Sequence, residues 1–369
     1  MANTSSDPEK TVVLTERPIS AAARLSVDLP VKPKSRYRFI RSIGFGGMKS
    51  VLLVYDNDTN REVAMAMMPD FRERPKRDIR RFVREARLTA SLEHPNIVPV
   101  HDLGADLSGS PYFTMKYLRG LPLSTLLSRL RNHDPNTQAE FPLSRLLRIF
   151  QRVCNAIEFA HSRGYCHLDL KPGNINVGQF GDTFVIDWGL ARMLDDNGNA
   201  IDDPDLPTSA GTPGYMAPEQ INSKANLPLG VHSDIYSLGT ILYSMLSLTS
   251  PANDFSKEMT LQHTVNGTFP SPSTVAPAGR YVPSSLEAVV RRAMTPDPQK
   301  RYRSVRELRQ EILAYTSGFA TTAEHASILK RIRLFVGRNF LLLIIAILTA
   351  ALLVALSIIY FMLQNDLLD

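Results

Sequence analysis

The stretch His167-Leu168-Asp169-Leu170-Lys171-Pro172-Gly173-Asn174 gathers a carboxylate, an ammonium group and an amide into one short segment. Moving a phosphoryl group from ATP calls for such a set. It needs a carboxylate at the attacking hydroxyl, positive charge at the phosphoryl oxygens, and oxygen ligands for metal ions. Asp169 suits the first task, Lys171 the second and Asn174 the third. Soon afterwards Ile186-Asp187-Trp188-Gly189 sets another carboxylate between an apolar strand end and a glycine. Such a carboxylate suits Mg²⁺, and Mn²⁺ shares the preference for oxygen ligands.

Upstream, Ile43-Gly44-Phe45-Gly46-Gly47-Met48-Lys49-Ser50-Val51 is rich in glycine. Backbone amides can close on phosphates only where side chains are absent, although glycines also build ordinary hairpins. The next strand-like run, Val63-Ala64-Met65-Ala66, carries no charge. Downstream, Gly211-Thr212-Pro213-Gly214-Tyr215-Met216-Ala217-Pro218-Glu219 is dense in turn formers, and Ser233-Asp234-Ile235-Tyr236-Ser237-Leu238-Gly239 opens a helix.

In this order the blocks resemble the eukaryotic-type protein kinase family, specifically the bacterial transmembrane Ser/Thr kinases, over about Tyr37 to Tyr315. The resemblance implies an α+β, bilobal kinase fold with a small β-rich lobe and a larger helical one. It also implies ATP and Mg²⁺ as cofactors and proteins as substrates. Lys171, two places after Asp169, follows the Ser/Thr rather than the tyrosine pattern. By the same resemblance Gly44 and Gly46 belong to the phosphate loop. Ile43, Val51, Ala64 and Met115 line an adenine pocket, and backbone groups of Lys116 and Leu118 bind the base edge. Glu219 pairs with Arg301, Asp234 braces the catalytic loop, and Thr212 packs near Asp169.

The family pattern breaks at four places. Lys49 stands where the third loop glycine is usual, and Ala66 stands where a strand lysine normally holds the α- and β-phosphates. Two readings compete: a pseudokinase kept as a docking scaffold, or a lysine relocated to the neighbouring strand, as in the "with-no-lysine" kinases. A lysine is a compact charge on a flexible stem, so it can approach a phosphate from either strand. Retention of Asp169, Lys171, Asn174 and Asp187 favours relocation, with Glu85 as the helix partner of Lys49. Leu168 replaces the arginine that clamps a phosphorylated activation segment, so strict control by phosphate on Thr208, Ser209 or Thr212 is not expected. Asn176 takes the floor of the adenine pocket, where an apolar residue is usual.

These residues need a scaffold. From Tyr37 to Val63 two β-branched and aromatic runs bracket the glycines, with a turn at Asp56-Asn57-Asp58. Ile79, Phe82, Val83, Ala86 and Leu92 recur at helical spacing over 77–92. Tyr112 to Leu118 reads as a strand, and 143–163, 235–248 and 285–294 read as helices. The expected organisation is a flexible leader at 1–35, a kinase domain at 36–316 and a basic juxtamembrane segment at 317–339. A transmembrane helix at 340–363 and a short tail at 364–369 follow.

The segment Phe340 to Leu363 has no charged residue and exceeds the roughly 20 residues needed to cross a bilayer. Lys330, Arg331, Arg333 and Arg338 precede it, which places the folded domain in the cytoplasm, at a bacterial inner membrane by resemblance. Ala346/Ala350 and Ala351/Ala355 are small-xxx-small pairs compatible with a homodimer. The net charge of +6 gathers largely here and between Arg72 and Arg87, with no RNA-binding signature, so nucleic acid is not an expected partner. The polar N-terminus lacks the apolar stretch of a signal peptide. Cys154 and Cys166 are too few for a disulfide framework, which fits a reducing compartment. The expectation is a membrane-anchored Ser/Thr protein kinase, with the pseudokinase scaffold as its alternative.

Overall fold

The computed structural model describes residues 36–46, 48–207, 210–221, 227–253 and 255–366. The expected leader at 1–35, Gly47, Thr208, Ser209 and the end of the tail lie outside these residues.

The first strand-like region forms β1 (Tyr37–Phe45), β2 (Ser50–Asp56) and β3 (Arg61–Met67). With β4 (Val100–Ala105) and β5 (Pro111–Lys116) they make an antiparallel sheet in the order β1-β2-β3-β5-β4. Successive side chains on a strand point to opposite faces, and β3 uses both. Val63 and Met65 pack with Val54 and Tyr112 on one side. Ala66 packs on the other with Phe113 and with Phe82, Val83 and Ala86 of α1 (Lys76–Ser91). The sheet therefore holds α1 across its back, and Glu85 of that helix is buried at the join.

The second lobe begins with β6 (Gly120–Pro122), α2 (Leu123–Arg131), α3 (Pro135–Glu140) and α4 (Leu143–Ser162). Then follow β7 (Tyr165–Cys166), β8 (Ile175–Gly178), β9 (Thr183–Val185) and β10 (Arg192–Met193). The helices α5 (Pro218–Ile221), α6 (Val231–Ser247), α7 (Lys257–Asn266), α8 (Pro272–Val275), α9 (Ser284–Ala293) and α10 (Val305–Thr316) complete it. One continuous core runs through α2, α4, α6, α9 and α10. The expected helices at 77–92, 143–163 and 285–294 agree with α1, α4 and α9 to within a residue at each end. Helix α6 starts four residues before the expected Ile235, because the Ser233 hydroxyl accepts the Gly230 N–H at 3.2 Å and closes its first turn.

The antiparallel β8–β9 hairpin, with Ile175 opposite Val185, brings two of the candidate site residues together. Asn174 enters it and Asp187 leaves it. Two further helices follow the lobe, α11 (Ile328–Arg338) and α12 (Phe340–Asp366). The apolar helices α6 and α12 contrast: α6 is buried on every face from Ser233 to Ser247, whereas Phe340–Ile359 is not buried within the chain at all. Those 20 residues, of mean hydropathy 3.1, form a helix long and apolar enough to cross a membrane.

Candidate active site

The loop between β1 and β2 folds back on itself, with the Gly46 N–H donating to the Lys49 carbonyl at 2.9 Å. This turn sends the Lys49 side chain inward. Its Nζ meets Oε1 of Glu85 in a short contact and Oδ1 of Asp187 at 2.8 Å. One ammonium group thus joins the sheet, α1 and the segment after β9. Gly189 makes room for the meeting, since a Cβ there would stand 3.2 Å from Glu85 Oε2. Ala66, on the strand beside β2 and opposite Val51, contributes only its methyl group to the apolar cluster under α1.

Electrostatics keep the cleft charged. Burial pulls the Lys49 ammonium down, but Glu85 and Asp187 outweigh it and its pKa ends above the ordinary lysine value. Burial alone would raise the Asp187 carboxyl, and Lys49 holds it below the ordinary carboxylate range. Glu85 is raised, because loss of water exceeds what Lys49 returns.

Asp169 sits in a dense polar group. Its Oδ2 accepts from Lys171 Nζ at 2.8 Å and Asn174 Nδ2 at 3.1 Å, and its Oδ1 accepts from the Thr212 hydroxyl at 3.1 Å. Lys171 also donates to Thr212 Oγ1 at 2.8 Å. The Asn174 amide nitrogen donates again to the Asp169 carbonyl at 2.8 Å, so its amide oxygen is the atom left for a cation. The Ile186 N–H donates to the Asn174 carbonyl at 2.9 Å, tying the residue before Asp187 to the same loop.

Two backbone positions here are strained, Leu168 at φ 62° and Asp187 at φ 66°. Non-glycine residues hold such angles only where their surroundings over-determine them, at a cost of order 1–3 kcal/mol each. Around Leu168 that restraint is visible. Asp234, fully buried, accepts the backbone N–H groups of His167 (2.8 Å) and Leu168 (2.9 Å) while His161 lies 2.8 Å away. Gln220 donates to the Leu168 carbonyl at 2.8 Å. Below the loop, Arg301 and Glu219 form a fully buried double hydrogen bond at 2.8 and 2.9 Å.

The remaining positions group on the sheet facing this loop. Ala64 lies opposite Met115 of β5, and Gly44 opposite Val51, with Ile43 just before it on β1. The Lys116 N–H is taken by the Pro99 carbonyl at 3.0 Å, and Leu118 follows two residues later. Asn176 lies on β8 opposite Pro122, its amide oxygen close against Gly120.

Three aspartates that were not singled out in the sequence also belong here. Asp205 takes a two-point contact from Arg80 of α1, with Arg80 Nε at 2.7 Å. Arg84 reaches Asp203 at 3.2 Å, and Arg192 reaches Asp202 at 3.0 Å. The first two pin the segment around Asp203 and Asp205 to the helix that carries Glu85, and the third ties Asp202 to β10. The signal was present as an acidic run, Asp202-Asp203-Pro204-Asp205, facing the basic run on α1.

The protein kinase domain family matches residues 37–313. The serine/threonine-protein kinase PknD of Chlamydia felis is 37% identical over 300 residues, covering 77% of this chain and 31% of the relative. PknD of Chlamydia abortus is 38% identical over 298 residues, 76% of this chain and 31% of the relative. PknD of Protochlamydia amoebophila is 34% identical over 316 residues, 79% of this chain and 31% of the relative. The chain therefore spans about 31% of the length of these curated relatives.

Proposed function

Since the chain belongs to the protein kinase family, we propose that it is an active serine/threonine protein kinase working from a membrane. It transfers the γ-phosphoryl group of ATP to protein hydroxyls, with the domain held at the cytoplasmic face by α12. The observation that carries this reading is the position of Lys49 Nζ, in contact with both Glu85 and Asp187. A chain that had lost its phosphate-holding lysine would leave those two carboxylates repelling each other across a buried cleft. Here the charge is present, supplied from the loop that leads into β2 instead of from β3.

The residues fit a divalent ion. Asp187 is held ionised and its side chain keeps 39% exposure, while the amide oxygen of Asn174 points away from its two committed donor contacts. Bound there, Mg²⁺ would neutralise the charge of the transferring phosphates. Asp169 positions the substrate hydroxyl and receives its proton. Lys171 places a cation beside that carboxylate, where negative charge develops. Thr212 keeps both in register. The adenine edge meets the carbonyl of Lys116, whose N–H is already engaged, and the N–H of Leu118. The anchors of Asp203 and Asp205 on α1 support activity without a phosphate on the activation segment, consistent with Leu168 in place of a clamping arginine.

The test is Mg²⁺-dependent transfer of labelled phosphate from ATP to a test protein by the purified full chain. Phosphoserine and phosphothreonine are expected, and Asp187→Asn should abolish them. A wild-type chain that binds its partners yet transfers nothing would establish the scaffold instead.

A further inference from the structure

Helix α11 carries no acidic residue and four basic ones, Lys330, Arg331, Arg333 and Arg338. Its two sides differ sharply. On one, Lys330 binds Glu324 and donates to the Ser285 hydroxyl at 3.1 Å, while Arg338 donates to the Gly318 carbonyl at 3.2 Å and stacks over Phe319 at 3.8 Å. These contacts dock α11 onto the helical lobe next to α9. Away from these contacts Ile328, Leu329, Ile332, Phe335 and Val336 are 41–79% exposed, Ile332 and Phe335 also bordering the 319–322 segment. At 3.6 residues per turn these five fall on one stripe, with Arg331 and Arg333 on its two flanks.

Among the described residues neither Arg331 nor Arg333 has an ion-pair partner. A cavity of about 480 Å³ opens between α11 and the 319–322 segment, with Arg331, Arg338, Ile332 and Phe335 in its walls. Thr321 lines it as well, 3% exposed, and its hydroxyl has no hydrogen-bond partner. A guanidinium without an ion-pair partner at Arg331, a buried hydroxyl without a partner at Thr321 and an apolar wall together suit an anion with a hydrophobic body.

We infer that α11 lies in the membrane interface and that this cavity receives the head group of an anionic phospholipid. The inference rests on the reading that α12 spans the bilayer, which begins at Phe340, two residues after Arg338. That continuity puts the exposed stripe at the depth where acyl chains start. The arginines on its flanks then reach back to the head groups, as long cationic side chains do at interfaces. Because α11 is fastened to the lobe through Glu324, Ser285 and Gly318, lipid composition sets the orientation of the whole catalytic domain.

The test uses the full chain in bilayer discs of phosphatidylcholine, with or without phosphatidylglycerol. A fluorophore is placed at Leu329→Cys on the stripe, Leu348→Cys within α12, or Phe180→Cys on the exposed β8–β9 turn of the catalytic domain. Cys154 and Cys166 are fully buried, so labelling is selective. Lipids brominated on their acyl chains should quench positions 348 and 329 but not 180, and quenching at 329 should grow with phosphatidylglycerol. Arg331→Ala should shift the docked-to-undocked ratio by about fivefold, from about 1 kcal/mol per basic residue at an anionic surface. Arg331→Lys should retain most of it.

Quenching at 348 without 329 would overturn the inference and leave the membrane anchor standing. No quenching at 348 would remove both. Equal quenching at 329 in the two lipid mixtures would overturn anionic recognition. Inorganic phosphate reproducing the phosphatidylglycerol effect in phosphatidylcholine discs would reassign the cavity to a soluble anion and overturn the lipid assignment.

Discussion

The Arg301–Glu219 pair in the helical lobe and the Lys49–Glu85–Asp187 group in the cleft are both cation–carboxylate contacts between distant parts of the chain. Arg301 is closed. Its guanidinium has five N–H donors, and they go to the two Glu219 oxygens and to the carbonyls of Thr295, Pro296 and His232, all within 2.9 Å. Both side chains have no exposure. Lys49 is open. Its ammonium meets two carboxylates, one of them on a side chain 39% exposed, and it sits beside a glycine loop. A saturated planar cation fixes one geometry and has nothing left for a ligand. A compact ammonium shared between two carboxylates can exchange part of its coordination for phosphate oxygens. Under the proposed function, the chemical difference between arginine and lysine separates a pin from a working group.

Removing each cation tests that separation. Arg301→Ala leaves Glu219 buried and uncompensated, a loss on the order of 3–5 kcal/mol, read by urea unfolding. Activity per folded molecule should change little. Lys49→Met should instead lower kcat/KM by on the order of 10²–10³ with a smaller loss of stability. Glu85, already raised by burial, can relieve its charge by taking a proton, and Asp187 remains partly in water. Equal losses of stability in the two variants, with activity per folded molecule intact in both, would break the comparison.

The two groups were not equally legible. Arg301 and Glu219 were readable because each sits in a block whose residue types and order match a family. Lys49 was readable as half of a paired departure from the family pattern, with Ala66 silent. Its three-way contact with Glu85 and Asp187 needs a β1–β2 turn whose direction no spacing rule supplies. The helices expected at 77–92, 143–163 and 285–294 followed from periodicity. The strand expected over Tyr112–Leu118 instead ends at Lys116, and α6 starts early because Ser233 closes its first turn. The acidic anchors went unassigned for a different reason, although their charge run is visible. Arg80 and Asp205 stand 125 residues apart, and charge runs on a surface usually mean solvation. The juxtamembrane segment read only as basic, because its apolar stripe acquires meaning once the docked side of α11 is known.

A histidine beside each group gives the comparison its finest test. His167 is fully buried, which lowers its pKa, with Asp234, Asp169 and Asp187 offsetting part of the shift. His232 is lowered by burial first and then by the charge of Arg301. In the unfolded chain both titrate near 6.5, while in the folded chain both stay neutral to lower pH. The unfolded state therefore binds more protons below pH 6.5. Stability is complete above that value and falls as pH drops toward the folded pKa values. The consequences differ from there. The Asp169 N–H donates to His167 Nδ1 at 3.2 Å, so protonating that nitrogen removes a bond that positions the catalytic loop. His232 meets Arg301 only through its backbone carbonyl. In His232→Gln, proton uptake on unfolding below pH 6.5 should fall by as much as about one proton, with the acid limb of kcat/KM unmoved. In His167→Gln the acid limb of kcat/KM should move as well. Urea unfolding and steady-state assays on either side of that pH decide it. An acid limb of activity that moves in His232→Gln would mean that the buried pin and the open cleft are one coupled unit.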